Sequence, residues 1–212
     1  MRALGVWLAL IWVLIVGAGV APGSARAQDQ QDLARAQLER VIKDSWQHAA
    51  PEWQMRLRQD ETQALCSLYR NNPPAPIAAA IKAREEASIK YPADGQLMGD
   101  WKKGERLAQS GYGMRFTDYP PRAENGGNCF ACHQLDRNEL SYGTLGPSLA
   151  AYGKVRDFAP AEVKAVYQRI FNPQAAVACA MMPRLGANGV LSPEQIRDLT
   201  AYVMSPESPV NK

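Results

Sequence analysis

The sequence predicts an all-α protein, and three observations predict it. Apolar residues recur at three- and four-residue steps in several segments, prolines and glycines punctuate those segments, and no run alternates in the period-two manner of a convincing strand. Neither an internal repeat nor a low-complexity tract interrupts the pattern.

The first segment is a leader. Met1-Arg2 precede an almost unbroken apolar run from Ala3 to Val20, and Gly23-Ser24-Ala25-Arg26-Ala27 closes it in the small-residue form that a signal peptidase cuts. Residues 1–27 are therefore expected to leave, releasing a periplasmic chain from Gln28 to Lys212 with no membrane span. An uncleaved anchor is the rival reading, because the apolar run of about 18 residues reaches the lower bound for a span. The formal charge of +3 falls to about +1 once Arg2 and Arg26 are removed. With no basic tract, nothing points to nucleic acid. The remainder suits one domain, or one domain with an appendage.

The helices follow in order. From Gln28 to about Ala50, Leu38, Val41, Ile42 and Trp46 form one stripe, which Pro51 ends or kinks. A second stretch carries Cys66 and runs to about Tyr69, where Asn71-Asn72-Pro73-Pro74 stops it, since proline lacks the N–H and biases its predecessor away from helix. A third spans about Ala75 to Lys90 and ends at Tyr91-Pro92. Residues 28–95 thus read as a helical N-terminal extension, and residues 96–212 as the domain that carries the chemistry. That domain opens with an amphipathic helix from about Gln96 to Ser110 and a Gly- and Pro-rich connector, Gly111 to Gly127. A helix from about Pro160 to Phe171 follows. The last helix starts at Ser192-Pro193-Glu194-Gln195, which offers an N-cap serine, a proline at the first helical position and a glutamine that completes a capping box. It buries Ile196, Leu199, Tyr202 and Val203 and ends before Pro206 and Pro209.

The chemistry is concentrated in Cys129-Phe130-Ala131-Cys132-His133. Cys-x-x-Cys-His supplies two thiols that can add to the vinyl groups of haem and a histidine that falls beneath the iron. The motif can also serve a redox dithiol or half a zinc site, but there is no second CxxC and no βαβ pattern. The expected cofactor is one covalent haem c, with His133 as a metal ligand. A purely electron-shuttling iron needs its sixth position closed, commonly by a methionine. Met181-Met182-Pro183-Arg184-Leu185-Gly186 lies in a loop about 50 residues past His133, long enough to wrap a haem, whereas Met204 suits a helix core. Adjacent residues of an extended loop point opposite ways, so one of the two binds. Met182 is favoured; Met181, a non-methionine ligand and an open site stay as alternatives. His48, the second histidine, reads as a surface or packing residue. His133 also needs its other ring nitrogen held, and the Pro147 carbonyl in Gly146-Pro147-Ser148-Leu149 suits that task, against the plain alternative of a loop turn.

Two cysteines remain. An exported chain tolerates disulfides, so Cys66 and Cys179 are expected to bridge, the alternative being two free thiols. Arg184 could pair with a haem propionate or a partner's carboxylate, or stand exposed.

Taken together, Gly127 to His133, Gly146-Pro147-Ser148-Leu149 with Tyr152-Gly153, Asn172-Pro173, Cys179 with Met182 to Gly186, Leu191 to Ile196 and the closing Ser208-Pro209-Val210-Asn211 resemble the SoxX family, the monohaem subunit of periplasmic SoxAX cytochromes of sulfur oxidation. The likeness covers about Gln96 to Asn211. It implies a class I cytochrome c fold, with the first and last helices of the domain crossing near Gly104 and Tyr202. It also supports Met182 as distal ligand and Pro147 beside His133. The function implied is that of a non-catalytic electron-accepting subunit. It would form a heterodimer with a SoxA-like cytochrome, whose own site joins thiosulfate oxidatively to a cysteine of a SoxYZ-like carrier. The electrons would pass to a small acceptor cytochrome c. A generic diffusible periplasmic electron carrier is the alternative.

Overall fold

A computed structural model describes residues 22–48, 51–118 and 122–212, and every regular element among them is helical. Most of the expected leader, residues 1–21, lies outside the described residues. The chain forms two compact units, Met1–Leu57 and Arg58–Lys212.

The first unit contains α1 (Pro22–Ser45) and α2 (Pro51–Arg56). Helix α1 begins at Pro22, ahead of the expected start at Gln28, and runs through the expected cleavage point. Leu38, Val41 and Trp46 of the anticipated stripe are exposed, and Ile42 is half-buried. His48 is exposed in the turn that follows α1. Among the described residues no helix is long and apolar enough to cross a membrane.

The second unit opens with α3 (Glu61–Leu68) and α4 (Ala75–Ala87). Asp60 caps α3 by accepting from the Gln63 N–H while the Gln63 side chain accepts from Asp60 N–H. This reciprocal cap breaks the single stretch anticipated up to Tyr69 into α2 and α3. The aspartate at N-cap and glutamine three residues on were the signal for it. Helix α5 (Trp101–Gln109) starts later than the anticipated Gln96 for a tertiary reason: Gly99 N–H is bonded to Arg197 O at 3.1 Å, and Asp100 N–H to Asp198 Oδ1 at 2.8 Å. These bonds hold residues 99–100 extended against the final helix. Helices α6 (Tyr152–Val155), α7 (Pro160–Phe171) and α8 (Pro193–Met204) complete the fold, α8 beginning with the anticipated Ser192–Gln195 capping box.

The architecture is the all-α cytochrome c fold. Helices α5 and α8 cross at Gly104, where an added Cβ would lie 2.1 Å from Asp198 O and 2.8 Å from Tyr202 Cβ. A residue without a side chain is what lets the two backbones approach so closely. Around the crossing, Leu107, Ile196, Leu199, Tyr202 and Met204 are buried together with Tyr167 and Phe171 of α7. Met204 thus takes the core role anticipated for it. The C-terminal segment seals α8. Asn211 Nδ2 donates to Val203 O and Ser205 O at 3.0 and 2.9 Å, and Ser208 Oγ donates to Tyr202 O, which satisfies carbonyls that a helix end leaves unpaired.

Helices α3 and α4 belong to this same unit as the residues after 96. Tyr91 stacks on Tyr167 with ring centroids 5.4 Å apart, Tyr167 O–H donates to Lys90 O at 2.7 Å, and Cys66 of α3 is bonded to Cys179. A small apolar cluster of Cys66, Ile81 and Cys179, with Leu65 and Ile77 beside it, surrounds that disulfide.

Candidate functional site

The Cys129–His133 segment is held to the end of α5 by the main chain. Gly127 N–H donates to Leu107 O at 2.8 Å and Asn128 N–H to Ser110 O at 2.9 Å. Asn128 takes a left-handed backbone (φ 48°), a conformation asparagine tolerates better than most residues, and the chain then winds into a 3₁₀ turn, Cys129–Ala131. Cys132 and His133 N–H both donate to Cys129 O, at 3.1 and 2.9 Å. The two thiols and the imidazole are therefore carried on one tight turn with Cys129 and Cys132 as free cysteines.

A second loop pairs alongside. Gly143 N–H donates to Phe130 O (2.9 Å), Gly146 N–H to Cys132 O (2.8 Å) and Leu149 N–H to Gln134 O (2.8 Å). This pairing brings Pro147 O to 2.7 Å from His133 Nδ1. A carbonyl can only accept, so Nδ1 carries a proton and Nε2 is the ring nitrogen left to ligate an iron. Gly146 lies flat on the imidazole: an added Cβ would sit 2.2 Å from Cε1, 2.4 Å from Nδ1 and 2.7 Å from Nε2. Gly143 is equally constrained, its added Cβ falling 1.8 Å from Ala131 O.

The Cys129 thiol lacks the stabilised thiolate of a redox dithiol. Burial pushes the Cys129 thiol up to about 12, whereas a nucleophilic cysteine needs its thiolate stabilised. Among the described residues no group of three or more His, Cys, Asp or Glu forms a metal cage, so a zinc site would lack further ligands. A groove of about 820 Å3 between α5 and the start of α8 is lined by Lys103, Arg106, Glu124 and Glu194, and neither the Cys129–His133 turn nor Met182 contributes to it.

In the 181–186 loop the two methionines face differently. Met181 is 84% exposed, its sulfur 3.8 Å from Asn71 Nδ2, whereas Met182 is half-buried and packed against the core. Cys66 and Cys179 are bridged, with Cα atoms 5.4 Å apart. Arg184 is placed otherwise than anticipated. Its guanidinium is neither exposed nor free for a propionate, because one arm meets Asp60 Oδ2 and the other lies 3.5 Å from Glu85 Oε2.

Glu85, Arg184's second partner, is a buried carboxylate that sequence reasoning missed. Within Arg84-Glu85-Glu86 it reads as a solvated helix position, yet it is only 6% exposed. Thr62 Oγ1 donates to its Oε1, and Asn172 Nδ2 donates to its Oε2 at 2.7 Å. Asn172 is fully buried, donates also to Ser88 Oγ at 3.0 Å, and accepts from Gln174 N–H at 3.2 Å. The Asn172-Pro173 pair was legible as a motif; its buried carboxylate partner, 87 residues earlier, was not.

Residues 123–206 match the family model for cytochrome c. The whole chain is similar to an uncharacterized lipoprotein of Aquifex aeolicus (strain VF5), 36% identical over 206 residues that span 96% of this chain and 98% of that one.

Proposed function

Residues 123–206 are a cytochrome c domain, and from that premise we propose that the chain is the monohaem, electron-accepting subunit of a SoxAX-type thiosulfate-conjugating enzyme. The cytochrome c domain supports a c-type electron-transfer role. The sulfur-oxidation assignment rests on one observation, the ordered set of segments between Gln96 and Asn211 that resembles SoxX. Several of these segments have a definite task here: Gly146-Pro147 carries the imidazole partner, Asn172 secures Glu85, and Ser208 to Asn211 closes α8.

Haem c, when bound, supplies an iron that takes up and releases one electron at a time. Cys129 and Cys132 would hold it through thioethers. His133 Nε2 and Met182 Sδ would be the protein's ligands to its iron. Pro147 O fixes the ring orientation and basicity of His133 through Nδ1–H, and Met182, rather than the outward Met181, would supply the second ligand. With His133 and Met182 both committed to holding the haem, this chain would offer no substrate site of its own, and bond making would fall to a SoxA-like partner. There, joining thiosulfate sulfur to the sulfur of a SoxYZ-like carrier cysteine releases one proton and two electrons. This chain would accept those electrons singly and pass each to a small cytochrome c.

The Aquifex relative is named a lipoprotein. No cysteine precedes Cys66 here, and Cys66 is bonded to Cys179, so residues 1–65 offer no sulfur for a lipid. Cleavage after Ala27 and release into the periplasm is the reading we adopt. The test is to mix the purified holoprotein with a SoxA-type subunit. Co-elution on gel filtration and thiosulfate-dependent reduction of this haem are expected; separate elution and no reduction would leave the diffusible carrier as the better reading.

A further inference from the structure

The loop that carries Met182 has little main-chain support of its own. From Met181 to Arg184 no backbone N–H is bonded to a backbone carbonyl among the described residues, and the loop's main-chain bonds are those that Pro183 O and Arg184 O accept from Leu185 and Asn188 N–H. What locates the loop lies at its two flanks, and both flanks are tied to the same pair of helices. Three residues before Met182, Cys179 is bonded to Cys66 of α3. Two residues after it, Arg184, with a side chain only 11% exposed, spans from Asp60, the N-cap of α3, to Glu85 of α4. Gln174 Nε2 adds a bond to Ala180 O at 3.4 Å.

The ionic tie is built to be rigid. Glu85 is held from two further sides, by Thr62 Oγ1–H of α3 and by Asn172 Nδ2, which terminates α7. Its carboxylate is thus fixed independently of Arg184. A buried pair of this kind adds little net stability when formed, but losing one partner is costly because the other is left charged and unpaired. Its value is therefore positional.

We propose that the α3–α4 hairpin is a clamp on the distal ligand, in which Arg184 and Glu85 act as positioning residues and the Cys66–Cys179 bond forms the covalent half. The clamp keeps Met182 seated and closes the iron to small exogenous ligands. This assigns α3 and α4 to ligand closure, and it rests on Met182 being the sixth ligand.

The experiment uses the ferrous holoprotein and carbon monoxide, with Met182→Ala as the fully open reference. Three perturbed forms are compared: Glu85→Gln, Arg184→Met, and unmutated protein whose Cys66–Cys179 bond has been reduced and alkylated. Each is first checked for native helical content by circular dichroism; the reduced form serves if a variant does not fold. The expected result is a carbon monoxide-reactive fraction raised about tenfold over the parent, the change that about 1.4 kcal/mol of lost hold produces. A weakened iron–thioether charge-transfer band in the ferric spectrum should accompany it, and Arg184→Lys should recover part of both. If Met182→Ala binds carbon monoxide but the folded clamp forms stay as inert as the parent, the clamp is refuted and Met182 stands. If Met182→Ala is itself inert, the ligand assignment fails and the clamp with it.

Discussion

Replacing Gly146 with alanine tests whether the loop after the CxxCH turn orients the proximal histidine. The new methyl carbon would begin 2.2 Å from His133 Cε1 and 2.4 Å from Nδ1, against an ordinary carbon contact of about 3.5 Å. One side must retreat by about 1 Å. Gly146 is held by its own N–H on Cys132 O at 2.8 Å, so the imidazole is the group that moves. Its Nδ1 starts 2.7 Å from Pro147 O, and a 1 Å retreat carries it to about 3.7 Å, beyond hydrogen-bond range. Overpacking costs about 1–3 kcal/mol and the lost bond about 1 kcal/mol more. Together they lower the melting temperature of the holoprotein by about 4–16 °C. An imidazole without its carbonyl partner is a weaker donor to the iron. The ferric state is then less stabilised, and the midpoint potential rises. Thermal unfolding followed by circular dichroism and a redox titration followed in the visible check both. A Gly146→Ala holoprotein with the parent's melting temperature and potential would refute the reasoning.

Two other perturbations follow from the same structure. Gly104→Ala forces α5 and α8 apart at backbone atoms, a cost of about 1–3 kcal/mol that the roughly 1 kcal/mol gain in helix propensity only partly offsets. Each net kilocalorie lowers the melting temperature by about 2–4 °C, whereas a rise would show that the crossing is looser than described. Asp60 tests the sign of an electrostatic term. Burial pushes its carboxyl up, but the Gln63 N–H and the guanidinium of Arg184 outweigh that and hold it below its ordinary value of 3.8. Its contribution is present above that value and is lost as pH falls through the lower folded-state pKa. The stability gap between parent and Asp60→Asn should therefore be constant near neutrality and close below about pH 4 in denaturant titrations; a gap unchanged by acid would contradict the assignment.

The sequence alone determined where the Cys-x-x-Cys-His groups lie and much of the helical frame. Cys129, Cys132 and His133 are contiguous, so one local turn carries all three groups, and Ser192-Pro193-Glu194-Gln195 satisfies the first donors of α8 from within its own turn. Helix α7 likewise runs over the span its periodicity indicated, from Pro160 to Phe171. Such features depend on neighbours a few residues apart, and pattern reading reaches them. Tertiary structure decided the late start of α5, because Gly99 and Asp100 bond to α8 about 98 residues away. It also decided the fate of Arg184 and Glu85. Their charges gave no sign of burial, since a charged side chain enters an interior only where partners from distant segments surround it, and those partners converge only once the chain has folded.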